Sequence, residues 1–198
     1  AGTAVPSDFV ELPSQLYEHW LEVPEVLQEY ALHARTGQPM PKALLDRLLA
    51  TRTFNQGFAT IEYTACALVD LDLHSLEDAQ ALDVTAFERK DLEHIAMPAE
   101  IVMRHRLPHF QHLFSGGGYA AGYYSYMWSE VLDADAFAAF EETGNAFDPA
   151  TAKRLRDYVY SAGNRRDPED AYKAFRGRLP TVDALLKKRG LVGVSTAR

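Results

Sequence analysis

The sequence predicts an all-α chain. Three observations carry that expectation. Apolar residues recur at intervals of three and four along most of the length. Proline and glycine punctuate the periodic stretches where helices start and stop. No run alternates apolar and polar residues as a half-buried strand would, and there is no internal repeat or low-complexity segment.

The elements follow in order. Residues 14–21 form the first helix, with Pro13 in its first turn and Leu16, Trp20 and Leu21 at helical spacing. Pro24 opens a second helix, which runs to Arg35 and stops at Thr36-Gly37. Pro41 opens a third, whose stripe is Leu44, Leu45, Leu48 and Leu49. A long helix spans 54–76 and is apolar almost all round between Ile61 and Leu73, as a buried helix is. Residues 85–97 are amphipathic and are closed by Pro98. The glycines at 116, 117 and 118 mark a loop, because each costs about 1 kcal/mol relative to Ala inside a helix. A tyrosine-rich helix follows over 119–132. Further helices are expected over 135–142, 149–161 and 168–176, with a short one after Pro180. The tail 192–198 reads as disordered.

Composition excludes several classes. Hydrophobic residues make up 47% of the 198-residue chain, enough for a real core. The formal net charge is -8, which repels nucleic-acid phosphates and anionic membrane, so neither is an expected partner. No apolar run approaches the roughly 18 residues that span a bilayer. The single cysteine, Cys66, sits in an apolar helical pattern and reads as a small buried hydrophobe in a reducing compartment. The chain opens Ala1-Gly2-Thr3-Ala4-Val5-Pro6, with no initiator Met, basic region or apolar core of a signal peptide. Two readings fit this start: removal of a short tag, or a cut from a larger protein.

Two constellations carry candidate chemistry. The first is Asp8-Phe9-Val10-Glu11-Leu12-Pro13-Ser14-Gln15. One reading is a helix entrance, with Asp8 as cap and Glu11 answering it three residues later. The other makes Glu11 a zinc ligand held rigidly by a helix. The second constellation runs from His112 through Gly116-Gly117-Gly118 to Tyr119, Tyr123, Tyr124, Tyr126 and Trp128. If a helix begins by Tyr119, then Tyr119, Tyr123 and Tyr126 share one face. An aromatic core stripe is the plain reading. Buried phenols need hydrogen-bond partners, however, and a glycine loop beside them suits a ligand lying against bare backbone. Phenols aimed at a carbonyl oxygen would stabilise the oxyanion formed on attack. His105 and His109 have metal-like spacing, but Pro108 lies between them and no Glu follows His105, so this is not the His-Glu-x-x-His motif. His19, His33, His74 and His94 fall on predicted helices and read as structural or surface groups.

Together the two constellations resemble one family. Residues 8–15 with Glu18-His19-Trp20 resemble the segment carrying the third zinc ligand of the thimet oligopeptidase family, and the Glu-His-Trp ending is most similar to its bacterial peptidyl-dipeptidase branch. Residues 116–128 resemble the family's substrate loop and tyrosine helix. Arg176-Gly177-Arg178-Leu179-Pro180 with Asp183-Ala184-Leu185-Leu186 resembles its last helices. The resemblance implies that residues 1–191 are the carboxyl-terminal helical part of a two-lobed, zincin-like oligopeptidase. It implies Glu11 as a zinc ligand and Tyr126 as the donor to the oxyanion. It implies His112 as the loop histidine and Tyr119, Tyr123, Gly117 and Gly118 as substrate-binding positions. Short peptides and the missing amino-terminal part are the implied partners, and the cytoplasm the implied location. The His-Glu-x-x-His motif, with two zinc ligands and the water-activating glutamate, is absent from this sequence, so the chain alone is expected to be inactive. The competing reading is a self-standing helical module that holds peptides without cleaving them.

Overall fold

The computed structural model describes residues 3–192. In chain order its α-helices are α1 (Ser7–Val10), α2 (Leu12–Glu18), α3 (Pro24–Tyr30), α4 (Lys42–Ala50), α5 (Gln56–His74), α6 (Val84–His94), α7 (Gln111–Phe114), α8 (Ser125–Glu141), α9 (Pro149–Leu155), α10 (Pro168–Arg176) and α11 (Asp183–Lys188). Tight 3-10 turns occupy His19–Glu22, Thr51–Thr53 and Leu107–His109, and a π turn over Arg156–Tyr160 extends α9. The one extended pairing among the described residues is the isolated bridge Leu32–Pro39. The fold is therefore all-α, as the periodicity predicts. No helix among the described residues is long and apolar enough to cross a membrane. The tail predicted over 192–198 lies, beyond Val192, outside the described residues.

The chain divides into two compact units. One comprises the residues up to Phe54 and from Met127 onward; the other is Asn55–Tyr126. The core of the first unit joins Phe9, Leu12 and Leu16 to Leu132, Ala136 and Phe140 of α8, Leu155 and Val159 of the α9 region, and Tyr172 and Phe175 of α10. Trp20 closes this core, edge-on to Phe137 and Phe140, and its indole N–H donates to the Ala146 carbonyl at 2.9 Å. The core of the second unit holds Cys66 and Val69 of α5 with Met103, Leu107, Phe110 and Leu113. Burial pushes the Cys66 thiol pKa up, which fits a small hydrophobe rather than a nucleophile.

Local chemistry explains several helix ends. Pro24, Pro149 and Pro168 stand at helix starts, where a missing N–H costs nothing. Asp83, Asp148 and Asp167 cap α6, α9 and α10 by accepting first-turn amides. Gly177, with φ 85°, ends α10 in the left-handed conformation that glycine adopts without strain.

Four expectations need correction. The second helix ends at Tyr30, not Arg35. Residues 31–40 instead fold back on themselves, with His33 N–H donating to Gln38 O at 2.8 Å and Gly37 turning the chain at φ 65°. His33 is thus off any helix, because this exposed stretch has no apolar face to anchor a further turn. The tyrosine helix starts at Ser125 rather than Tyr119, and it runs unbroken to Glu141 through the expected gap before Asp135. Asp133 and Asp135, at the expected gap, are buried in mid-helix and partnered by His19, Lys188, Tyr172, Arg176 and Arg178. Finally, α5 is buried along one face only: Phe58 and Ile61 are exposed.

Candidate active-site surface

The candidate residues gather in the second unit, apart from Glu11. The 3-10 turn Leu107–His109 and the short α7 bring His105, His109 and His112 to one side. Glu88 of α6 fixes this segment: its buried carboxylate accepts from Arg106 Nε at 2.7 Å and from Leu107 N–H at 2.9 Å. With Tyr63, Phe110, Gln111, Tyr123 and Tyr126 these histidines line an open cavity of about 440 Å³.

Three tyrosines surround His112. Its ring centroid lies 4.8 Å from Tyr119, 5.6 Å from Tyr123 and 5.7 Å from Tyr126. Its Nε2 lies 3.2 Å from the Tyr126 hydroxyl. The expected convergence of Tyr119, Tyr123 and Tyr126 is therefore present, but not by the expected means. Only Tyr126 is on the helix; Tyr119 and Tyr123 sit on the loop before it. Tyr123 is wedged between Phe110, edge-on at 4.8 Å, and Tyr63, stacked at 5.1 Å, while the Tyr63 hydroxyl donates to the Tyr123 carbonyl. Burial pushes the Tyr123 phenol pKa up, so it stays a neutral donor at physiological pH. Tyr119 is about half exposed and does not line the cavity.

The glycine loop is open. A side chain at Gly117 or Gly118 would meet nothing within 4 Å, so nothing in the chain itself requires glycine there. Gly122 is different: a Cβ there would lie 3.1 Å from the Tyr119 carbonyl oxygen, tighter than ordinary contact.

Sequence reasoning missed Asp70 and Tyr63, and read His74 only as a structural or surface group. Asp70 is wholly buried in α5. Its carboxylate accepts from the N–H groups of Ala121 at 3.0 Å and Tyr123 at 2.9 Å, and it bonds His74 Nδ1 at 2.8 Å. These bonds hold Ala121 at φ 55°, a left-handed conformation that costs a non-glycine residue on the order of 1–2 kcal/mol. They also oppose a helix from Tyr119: the Tyr123 amide, which would donate to the Tyr119 carbonyl, is taken by Asp70, and that carbonyl accepts from Gly122 N–H instead. One signal was present. A charged residue inside an apolar helical run is rarely left buried without partners, and Asp70 with His74 has the i, i+4 spacing that lets side chains meet.

Glu11 stands in the first unit, at the junction of α1 and α2. Asp8 lies inside α1 rather than at a cap, and neither helix start has a side-chain cap bond, so the capping-box alternative does not describe this segment. The half-buried Glu11 carboxylate accepts from the Ser14 hydroxyl at 2.8 Å. A catalytic zinc needs three protein ligands. Among the described residues no group of three or more His, Cys, Asp or Glu could hold a metal ion, so these residues by themselves do not fit a complete zinc site.

The sequence model of peptidase family M3 matches residues 1–191. This chain belongs to peptidase family M3. Its M3 relatives include the dipeptidyl carboxypeptidases of Salmonella typhimurium, 41% identical, and Escherichia coli, 40% identical, each over 194 residues. Oligopeptidase A of Escherichia coli is 40% identical over 196 residues, so two kinds of M3 peptidase match at nearly equal identity. In each case the match covers 96% of this chain and 28% of the relative. The chain thus spans little more than a quarter of the length of these relatives.

Proposed function

We propose that residues 1–191 are the carboxyl-terminal part of the catalytic region of a zinc-dependent peptidase that hydrolyses short peptides. The chain contributes the surface that binds the peptide and steadies the transition state. The observation that carries this reading is the Tyr126 hydroxyl 3.2 Å from His112 Nε2, at the edge of a cavity ringed by phenols and imidazoles.

Tyr126 is the catalytic donor. Its O–H is given to the carbonyl oxygen of the scissile bond as negative charge develops there, and His112 orients it. Tyr123, Tyr119 and the open backbone of Gly117 and Gly118 bind the peptide. Glu11 supplies one metal ligand; the other ligands and the acid that activates water belong to sequence outside this chain. Its partners are accordingly the rest of the same protein and short peptides. A cytoplasmic location accords with the buried, unpaired Cys66.

The test is Tyr126→Phe in the full-length enzyme. A donor that meets its acceptor fully only in the tetrahedral intermediate raises kcat without tightening substrate binding. Its loss is expected to lower kcat by about 10²–10³, or roughly 3–4 kcal/mol, with KM little changed. The ring remains, so the thermal midpoint should hardly move. Unchanged turnover in a zinc-replete variant would make Tyr126 a packing residue and defeat the reading.

A further inference from the structure

We propose that Asp70 is a positioning residue for the tyrosine surface, acting through the backbone of the loop rather than through the peptide. The inference rests on the reading of Tyr126 as oxyanion donor.

The loop between α7 and α8 is a chain of linked turns. Tyr119 N–H donates to Gly116 O at 3.2 Å, Gly122 N–H to Tyr119 O at 3.1 Å, and Ser125 N–H to Gly122 O at 3.1 Å. Each turn ends where the next begins, so a shift in one displaces the rest. The Asp70 carboxylate grips the middle of this chain on both sides of Gly122, one oxygen taking Ala121 N–H and the other Tyr123 N–H. The grip comes from α5, which is anchored in the core through Cys66 and Val69. Tyr119 precedes the gripped residues, Tyr123 is one of them, and Tyr126 follows in the first turn of α8.

The chemistry suits an ionised acid and no neutral substitute. A carboxylate is acceptor-only, with lone pairs enough for both amides and an imidazole N–H. Charge-assisted bonds of this kind are roughly twice as strong as neutral ones. An asparagine of the same size keeps one acceptor oxygen and turns an N–H group towards the second amide. His74 completes the arrangement: its Nδ1 bonds Asp70 at 2.8 Å, and its partly exposed ring packs 6.1 Å from Phe114 at the end of α7. The same dyad therefore touches the start of the loop at Phe114 and its body at Ala121 and Tyr123.

The experiment is a double-mutant cycle in the full-length enzyme with zinc content checked for every sample. Asp70→Asn alone is expected to lower kcat on the order of 10²-fold, as misplacement of a catalytic group by about 1 Å does. In a Tyr126→Phe background the same substitution should cost little more, because the group it positions is already gone. An equal fall in both backgrounds, or normal kcat in Asp70→Asn, overturns the proposal. If Asp70→Asn does not fold, His74→Ala serves: it keeps the carboxylate and both amide bonds, and should lower kcat by a smaller factor, again only with Tyr126 intact. Amide exchange separates this inference from the function it rests on. Faster exchange at Ala121 and Tyr123 in Asp70→Asn supports the grip even if Tyr126→Phe turns out fully active, and unchanged protection at both amides sinks it.

Discussion

Asp135 in the first unit and Asp70 in the second are both shielded from water, yet different donors satisfy them. Asp135 accepts from side chains: the Tyr172 hydroxyl at 2.9 Å, Arg176 Nε at 3.2 Å and Arg178 Nη2 at 2.5 Å. Asp70 accepts from two backbone amides and one imidazole. Side-chain donors tie whole helices together. The Asp135 cluster fastens α10 and the segment bearing Arg178 beyond it to the middle of α8, and Arg176 extends it to Glu142. That arginine holds the Glu142 carboxyl below its usual pKa, while burial and the neighbouring Asp135 hold the Tyr172 hydroxyl well above the phenol range. Backbone donors instead dictate the path of a loop. The first carboxylate serves stability, the second the placement of Tyr119, Tyr123 and Tyr126.

Three substitutions probe this contrast. Asp135→Ala removes three charge-assisted bonds, from Tyr172, Arg176 and Arg178, while Arg176 keeps Glu142, and is expected to cost about 3–5 kcal/mol in urea denaturation, with chemistry at the tyrosine surface unaffected in molecules that remain folded. A cost below about 1 kcal/mol would mean that water screens the cluster, and the contrast would lapse.

Asp91 of α6 gives an intermediate case, a buried acid with another acid for a neighbour. Burial and the adjacent Asp72 push its pKa up to about 6, against a weak opposing pull from His94. The folded state therefore binds a proton more tightly than the unfolded chain does. The stability tied to that proton is fully present below about pH 4 and is lost as pH rises through about 6. Asp91→Asn should flatten this part of the stability profile and stabilise the protein at pH 8 by up to roughly 3 kcal/mol. Parallel pH profiles for the native and variant proteins would remove Asp91 from the comparison.

The smallest effect is expected at Gly177. Its φ is 85°, and a Cβ added there would meet no neighbour within 4 Å. Gly177→Ala therefore suffers only backbone strain, about 1 kcal/mol in a denaturation curve. A larger loss would show that Arg176 and Arg178 need that glycine to reach Asp135 together.

Legibility in the sequence followed the range of the interactions. The starts of α3, α9 and α10 were readable because proline acts within one turn, and Gly177 because a left-handed residue ends a helix locally. The candidate site was readable as a set of residue types: His112, Gly117, Gly118, Tyr119, Tyr123 and Tyr126 lie within one short segment. The reason they meet was not. A shared helix face was the local explanation, and a loop gripped from afar is the actual one.

By itself, then, the sequence determined the helical class, the helix starts that proline marks, the family and the segment that bears the tyrosines, since each is written in residues a few positions apart. Tertiary structure decided where α8 begins, that Asp133 and Asp135 do not interrupt it, and what holds the tyrosine loop. Asp70 is 51 residues from Ala121 and 53 from Tyr123, and Asp135 is 41 from Arg176 and 43 from Arg178. A buried charge is tolerated only where such distant partners are delivered to it, and no local pattern announces their arrival.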